Sequence, residues 1–291
     1  MAVFIIRVFA VFFCLLTTVF TAEKPYVTCN FAGQLGNQLF QAAAAIAYAR
    51  DHQSNAIFPT IQQAIGGAIN YQHVFHRLNT ALPSSAKRSF YDYYEHLHTH
   101  YTIFSPIFHQ EGMNIRLNGF FQTERYFIHH ADYIREIFSP SPDILVQIHR
   151  KYGELLKNPT VGIHVRTFIT DGRNPQIVGI GGASWNYFLR AIQCFPEHFH
   201  FLIFSDAIEW TKKHFPPCNR AVTFIEGNPH YIDFYLLSLC QHQIISPEST
   251  FSWWAAWLNR NIKKVVIAPN TWSGREDNET IPKEWIKIPI Q

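Results

Sequence analysis

No Cys-x-x-Cys pair, no paired Cys/His spacing and no H-E-x-x-H occurs in this 291-residue sequence, which removes the common zinc ribbons and zinc-protease helices. A glycine turn is present, but no Gly-Lys-Ser/Thr follows it, so it is not a Walker A loop, and no G-x-G-x-x-G fingerprint exists. Charge is scarce. Only 15% of residues are Asp, Glu, Lys or Arg, the formal net charge is +3, and no Lys/Arg-rich run appears, which argues against a nucleic-acid partner. No internal repeat is visible. Cysteine is sparse: of five, Cys14 lies in an N-terminal apolar segment, leaving Cys29, Cys194, Cys218 and Cys240. Cys194 and Cys218 could bridge in an oxidising compartment. Free buried thiols are the alternative, and Cys240 sits in an apolar, helix-like run.

What is present is a globular composition, 47% hydrophobic and 16% aromatic, with length enough for two ordinary domains. Residues 1–23 are almost wholly apolar, interrupted by Arg7 and unbroken from Val8 to Ala22. That unbroken part suits a signal-peptide core and falls short of the roughly 20 residues of a membrane span. Counted over residues 3–22, with Arg7 snorkelling, it reads as a signal-anchor that makes the membrane a partner. Bulky Phe20 fits a cleavage site poorly, which favours the anchor over a cleaved signal. A buried helix is the third reading.

From Tyr26 onward the chain alternates strand and helix. Tyr26–Asn30 predicts a strand, Leu39–Arg50 an Ala-rich helix and Ala56–Phe58 the next strand, a βαβ unit that implies a parallel sheet. Glu124 to Ile137 predicts one helix. Ser139-Pro-Ser-Pro142 is a breaker cluster that marks a boundary between residues 24–142 and 143–291. After it come a helix over 143–156 and strands near 161–165, 200–204, 222–225, 243–246 and 264–268, with helices between. The expectation is an α/β chain of two Rossmann-like domains facing a cleft.

Four stretches carry chemistry. The strand 161–165 places His164 and Arg166 on one face at its carboxyl end, ahead of a loop with Asp171 and Arg173, an arrangement suited to an anion. A surface ion pair is the plain alternative. Gly33-x-x-Gly36-Asn37 feeds a helix whose N-terminus would favour phosphate, or is simply a tight turn. Ser249, Thr250 and Phe251 open the helix that carries Trp253 and Trp254, either as an anion cradle or as an ordinary cap over core tryptophans. Asp206 and Asp233 follow strands and suit hydrogen bonds from a ribose or base, or plain capping. His96, His98 and His100 alternate; a metal trio is open in principle, an exposed strand face or groove lining is favoured.

Together these stretches resemble the α-1,2-fucosyltransferase family. Gly33-Gln-Leu-Gly-Asn-Gln-Leu-Phe-Gln41 is similar to its G-G-L-G-N-Q-x-F-Q loop, Gly119-Phe-Phe-Gln122 with Arg125-Tyr-Phe127 to G-Y-F-Q…Y-F, and His164-Val-Arg166 to the start of H-x-R-R-G-D. Ser205-Asp206 with Trp210 resembles S-D-D-x-x-W, and Asp233 to Trp257 resembles D-x-x-L-M-S-x-C…S-S-F-S-W-W-A-A-W. The resemblance implies a GT-B fold, GDP-fucose as donor, a galactose-ended glycan as acceptor, and an inverting transfer that needs neither metal nor cofactor. The absence of D-x-D, the metal-binding pair of many sugar-nucleotide transferases, is in keeping. It further implies Arg166 at the β-phosphate, His164 beside the nucleotide or sugar, and Ser249, Thr250 and Phe251 around phosphate and fucose. Gly36 and Asn37 would meet the donor across the cleft, and Asp206 and Asp233 the guanosine.

The departures are local. Thr167 stands where the family motif has its second Arg, and Phe168 and Ile169 replace its Gly-Asp. A lost guanidinium at a diphosphate would cost a few kcal/mol of transition-state stabilisation. Asp171 through a shifted loop, and Arg173, are candidates to replace what is missing. Asp171, Glu124 and His164 are candidate general bases. Two alternatives stay open beside active fucosyl transfer: another linkage or donor on the same fold, and an inactive paralogue that binds GDP or glycan. A signal-anchor would place the catalytic part in the Golgi lumen as a single-pass type II protein; a bacterial membrane-associated or cytoplasmic protein is the other reading.

Overall fold

The computed structural model describes residues 24–95, 104–172, 184–272, 275–276 and 279–290. The alternating His96, His98 and His100, the loop residue Arg173 and the apolar segment 1–23 lie outside the described residues.

Two parallel sheets form the frame. The first contains β1 (Tyr26–Cys29), β2 (Asn55–Ala56), β3 (Phe90–Tyr94) and β4 (Asn114–Asn118), in the order β2-β1-β4-β3. The second contains β5 (Thr160–Val165), β6 (His200–Ser205), β7 (Ala221–Phe224), β8 (His242–Ile244), β9 (Val266–Pro269) and, at one edge, β12 (Ile286–Ile288). Its order is β12-β9-β8-β5-β6-β7, with every pairing parallel. A small antiparallel pair, β10 (Thr271–Trp272) with β11 (Arg275–Glu276), stands apart. The chain is thus α/β with parallel sheets, as the strand–helix rhythm implies.

The described α-helices are α1 (Leu35–Asp51), α2 (Gly67–His73), α3 (Ala131–Ile137), α4 (Pro142–Leu156), α5 (Trp185–Gln193), α6 (Ile208–His214), α7 (His230–Leu239) and α8 (Thr250–Leu258). Six alanines stand between Ala42 and Ala49 of α1, broken only by Ile46 and Tyr48, and let neighbours approach closely. A helix apolar all round is buried, and α1 is. It packs against α8, where the Phe40 ring lies 4.5 Å from Trp253 and 5.1 Å from Trp254, and Phe127 stacks on Trp254 at 5.2 Å. Residues from both sides of the 139–142 break share this one apolar core. A second core, built from Val161, Ile163 and Val165 with Tyr187 and Phe188, covers the opposite face of β5. Alternation along β5 therefore turns His164 toward the helices between the sheets.

Three expectations are corrected. α1 begins at Leu35, inside the glycine turn, because Gly36 lets α8 pack directly on its first turn. Residues 124–137 are not one helix but two 3₁₀ turns, Glu124–Tyr126 and Ile128–His130, before α3. Ser141 caps α4 with its side chain accepting from Ile144 N at 3.4 Å and Pro142 following at the first helical position, so the breaker cluster doubles as a helix start. The four described cysteines are unbridged: Cys29 and Cys240 are buried, Cys218 is half-buried and Cys194 exposed. Among the described residues no helix is long and apolar enough to cross a membrane.

Candidate active site

The carboxyl ends of both sheets open on one cleft of about 670 Å³. The N-terminus of α1 enters it from one side and that of α8 from the other. The two touch there: a Cβ on Gly36 would lie 2.4 Å from the Thr250 carbonyl carbon and 2.6 Å from Phe251 N. Two helix N-termini converging on one space concentrate positive dipole and first-turn amides, a setting for an anion.

His164 and Arg166 point into the cleft from the end of β5, and Phe168 continues the alternation. Ser246 ties this edge to the end of β8: its hydroxyl donates to His164 O at 2.7 Å and accepts from Arg166 N at 2.8 Å. His164 Nδ1 lies 3.2 Å from Ser249 Oγ, which itself accepts from Ser252 N at 3.3 Å. A Ser249 proton donated to Nδ1 goes with the tautomer that carries the ring proton on Nε2. Burial pushes the His164 pKa down to about 4; Asp206 opposes this and Arg166 adds to it, so the ring is neutral at pH 7. Phe251 lies 5.1 Å from the imidazole.

Arg166 is held by two carboxylates. Its Nη1 donates to Asp206 Oδ2 at 2.9 Å, Nη2 is hydrogen-bonded to Asp171 Oδ2, and the guanidinium sits 4.6 Å above the Phe168 ring. Asp206 also accepts from Thr167 N at 2.7 Å and Thr167 Oγ1 at 3.0 Å. Across the cleft mouth, Gln34 Nε2 donates to Asp171 Oδ1 at 3.1 Å, and His230 Nε2 lies 2.8 Å from Asn70 Oδ1. Asn37 Oδ1 accepts from Gln122 Nε2 at 2.9 Å. Deeper, Asp233 accepts from Asn228 Nδ2 at 2.8 Å; burial pushes its carboxyl up to about 6, against the pull of that hydrogen bond and of Lys151.

With this geometry in hand, the family described as glycosyl transferase family 11 matches residues 5–289. The chain belongs to glycosyl transferase family 11. An alpha-1,2-colitosyltransferase of Escherichia coli is 29% identical over 90% of this chain and 98% of its own. Galactoside alpha-(1,2)-fucosyltransferase 2 of Hylobates lar is 25% identical over 79% of this chain and 68% of its own. A mutant of Arabidopsis thaliana FUT1 in complex with GDP has a similar fold, with a TM-score of 0.55 at 15% identity, covering 91% of this chain and 74% of that one.

These matches overturn the Golgi placement. The match begins at residue 5, inside the segment taken for an anchor. A relative that aligns across 90% of this chain and 98% of its own is bacterial. The signal-anchor and its membrane partner find no support among the described residues, which leave out 1–23.

In this family 11 transferase ten of the residues singled out from the sequence line the cleft: Gly36, Asn37, His164, Arg166, Asp171, Asp206, Asp233, Ser249, Thr250 and Phe251. Their partners were not foreseen. Asp206 holds Arg166 and the Thr167 backbone. Gly36 meets Thr250 across the helix contact. Glu124 does not line the cleft; its Oε2 accepts from Trp257 Nε1 at 2.9 Å, and burial raises its pKa despite that bond. Thr167, in place of the family's second Arg, is fully buried and turned to Asp206, so position 167 contributes no side chain to the cleft.

Gln34, Phe168, Glu248, His230 and Trp272 also line the cleft. Phe168 (φ 58°) and Glu248 (φ 55°) adopt the left-handed conformation rare for such residues, the kind of local strain that collects at functional sites. Neither carries a Gly or Asn signal in sequence. Glu248, inside the matched stretch before Ser249, was within reach by position.

Proposed function

We propose that this family 11 transferase moves L-fucose from GDP-fucose to a galactose-ended glycan through an α-1,2 linkage, with inversion and without a metal ion or other cofactor. On this reading the fold is of GT-B type, with residues 24–142 on the acceptor side and 143–291 holding the donor. The observation that carries it is the meeting of Arg166 with two helix N-termini at the carboxyl ends of two parallel sheets, in a cleft of about 670 Å³, a size suited to a nucleotide sugar.

The chemistry follows from charge. Breaking the sugar–phosphate bond leaves negative charge on the β-phosphate, and Arg166 with the first-turn amides of α8 stabilises it where it develops. The sugar passes through an oxocarbenium-like state as the acceptor hydroxyl attacks from the opposite face. Arg166 is engaged by Asp171 and Asp206, and on this reading the diphosphate takes the place of one carboxylate. Asp171, at 31% side-chain exposure against 9% for Asp206, is the one that gives way. Freed from the guanidinium, Asp171 is the carboxylate at hand to accept the hydroxyl proton. His164, neutral, offers Nε2–H to the donor. Gly36, Asn37, Ser249, Thr250 and Phe251 line the diphosphate and sugar, and Asp233 the guanosine. Asp206 has a different part from the one the resemblance implies: it positions Arg166.

The colitosyltransferase relative favours a second reading in which the chemistry is the same and the donor sugar differs. The test of both is GDP release by the full chain with lactose-type acceptors in EDTA, offering GDP-fucose and the colitosyl donor in turn. Turnover with GDP-fucose supports the first reading and turnover with the colitosyl donor alone the second. Release with neither, from folded protein, refutes both.

A further inference from the structure

Away from the cleft, one group of side chains is arranged for a ligand that the transfer does not use. Asp51 closes α1, and His129 and His130 end the turn before α3. His130 Nε2 lies 2.8 Å from Asp51 Oδ1; His129 Nε2 lies 2.9 Å from Oδ2 and 3.1 Å from Oδ1. One donor atom from each of the three side chains falls within 4.8 Å of the others.

Consecutive residues of a 3₁₀ turn diverge by about 120°, so both rings reach one carboxylate only through side-chain torsions that bring their centroids to 4.5 Å. A divalent cation can take lone pairs from two neutral imidazoles and the carboxylate together. Ligand bonds of about 2.0–2.2 Å put tetrahedral donor atoms about 3.3 Å apart, so each imidazole needs to move from the carboxylate by only a few tenths of an ångström. Asp51 supplies the carboxylate, with one oxygen facing each ring. The neighbouring cation, Arg50, is drawn off over the Tyr133 ring at 3.9 Å. The three side chains are 40%, 46% and 22% exposed, so an ion enters from solvent and keeps water in its remaining positions.

We propose that Asp51, His129 and His130 form a binding site for one transition-metal ion of the zinc class. Two imidazoles and one carboxylate favour zinc, nickel or copper over magnesium or calcium, which prefer oxygen alone. The ion would join the end of α1 to the turn leading into α3. α1 starts in the cleft and runs about 24 Å before reaching Asp51, so the site stands apart from sugar transfer and does not depend on that reading.

The experiment uses the full chain without a polyhistidine tag, stripped with EDTA, dialysed and titrated with zinc chloride by calorimetry. The native protein is expected to bind one equivalent that is lost in the Asp51→Asn/His129→Gln double variant. A zinc-dependent rise in thermal midpoint should vanish with it. His130→Gln alone should weaken that equivalent at least about tenfold, since losing even an outer partner of a ligand costs that much. His52→Gln/His109→Gln, altering the nearby stacked pair, should leave it intact. Circular dichroism reports folding, and transfer activity in EDTA should be native in every variant. The proposal is overturned if the native chain binds no zinc, or if the folded double or His130→Gln variant binds as the native chain does.

Discussion

Asp206→Asn strikes the contact on which the placement of Arg166 turns. Val165 pairs with Ser205 across β5 and β6, which brings residues 166 and 206 side by side at the carboxyl edge. Asp206 accepts from Arg166 Nη1 at 2.9 Å, Thr167 N at 2.7 Å, Thr167 Oγ1 at 3.0 Å and Thr170 Oγ1 at 3.3 Å. Asparagine keeps one acceptor oxygen and puts an amide NH₂ where the other stood, so a donor faces either the guanidinium or the Thr167 amide. Removing one partner of a buried ion pair costs about 3–5 kcal/mol. Arg166 keeps Asp171 and some contact with water, so the expected loss of unfolding free energy is about 2 kcal/mol. A guanidinium displaced by about 1 Å lowers turnover by about 10²-fold. Denaturant unfolding measures the first effect; initial rates of GDP release, as kcat/KM for the donor, measure the second. A variant with native stability and native kcat/KM would refute the assignment of Asp206 as the residue that positions Arg166.

Other predictions test neighbouring contacts. Gly36→Ala puts a methyl 2.4 Å from Thr250, so α1 and α8 have to separate at the core they share, and the thermal midpoint should fall by the equivalent of about 1–3 kcal/mol. Thr167→Arg, restoring the family residue, should lower stability without raising turnover, because the position is buried and faces Asp206; a gain in kcat/KM would contradict that geometry. Asp233 holds its proton to about pH 6 in the folded state, against about 3.8 as the reference, so the folded chain binds more protons between those values and stability falls as pH rises from about 4 to 6. Asp233→Asn removes that slope and should gain at most about 3 kcal/mol over the native chain at pH 7, with no gain below about pH 4, as measured by denaturant unfolding across that range.

Much of the site was legible because its residues sit on regular elements with short periods. Alternation along β5 puts His164 and Arg166 on one face, and the face is the cleft. A serine before a helix-like run marks the start of α8, and Ser249 does cap it. What stayed hidden depends on which strands are neighbours. The Arg166–Asp206 pair follows from β5 and β6 lying adjacent, which no local pattern states. Gly36 reads as a turn glycine, yet it permits contact with Thr250, more than two hundred positions away in sequence. Glu124 has the look of a free acid until Trp257 is found bonded to it. β12, three residues long, gains its strand character from pairing with β9 and has too little sequence of its own to announce it.

The central claim is that a nucleotide diphosphate binds where Arg166 meets the N-terminus of α8. A crystal structure of the chain with GDP tests it most directly. The account predicts the β-phosphate within hydrogen-bond distance of Arg166 and of the Thr250 or Phe251 amide, with Asp171 displaced from the guanidinium and Asp206 still in place. GDP bound elsewhere, or bound in the cleft with Arg166 still closed onto both carboxylates, would contradict it.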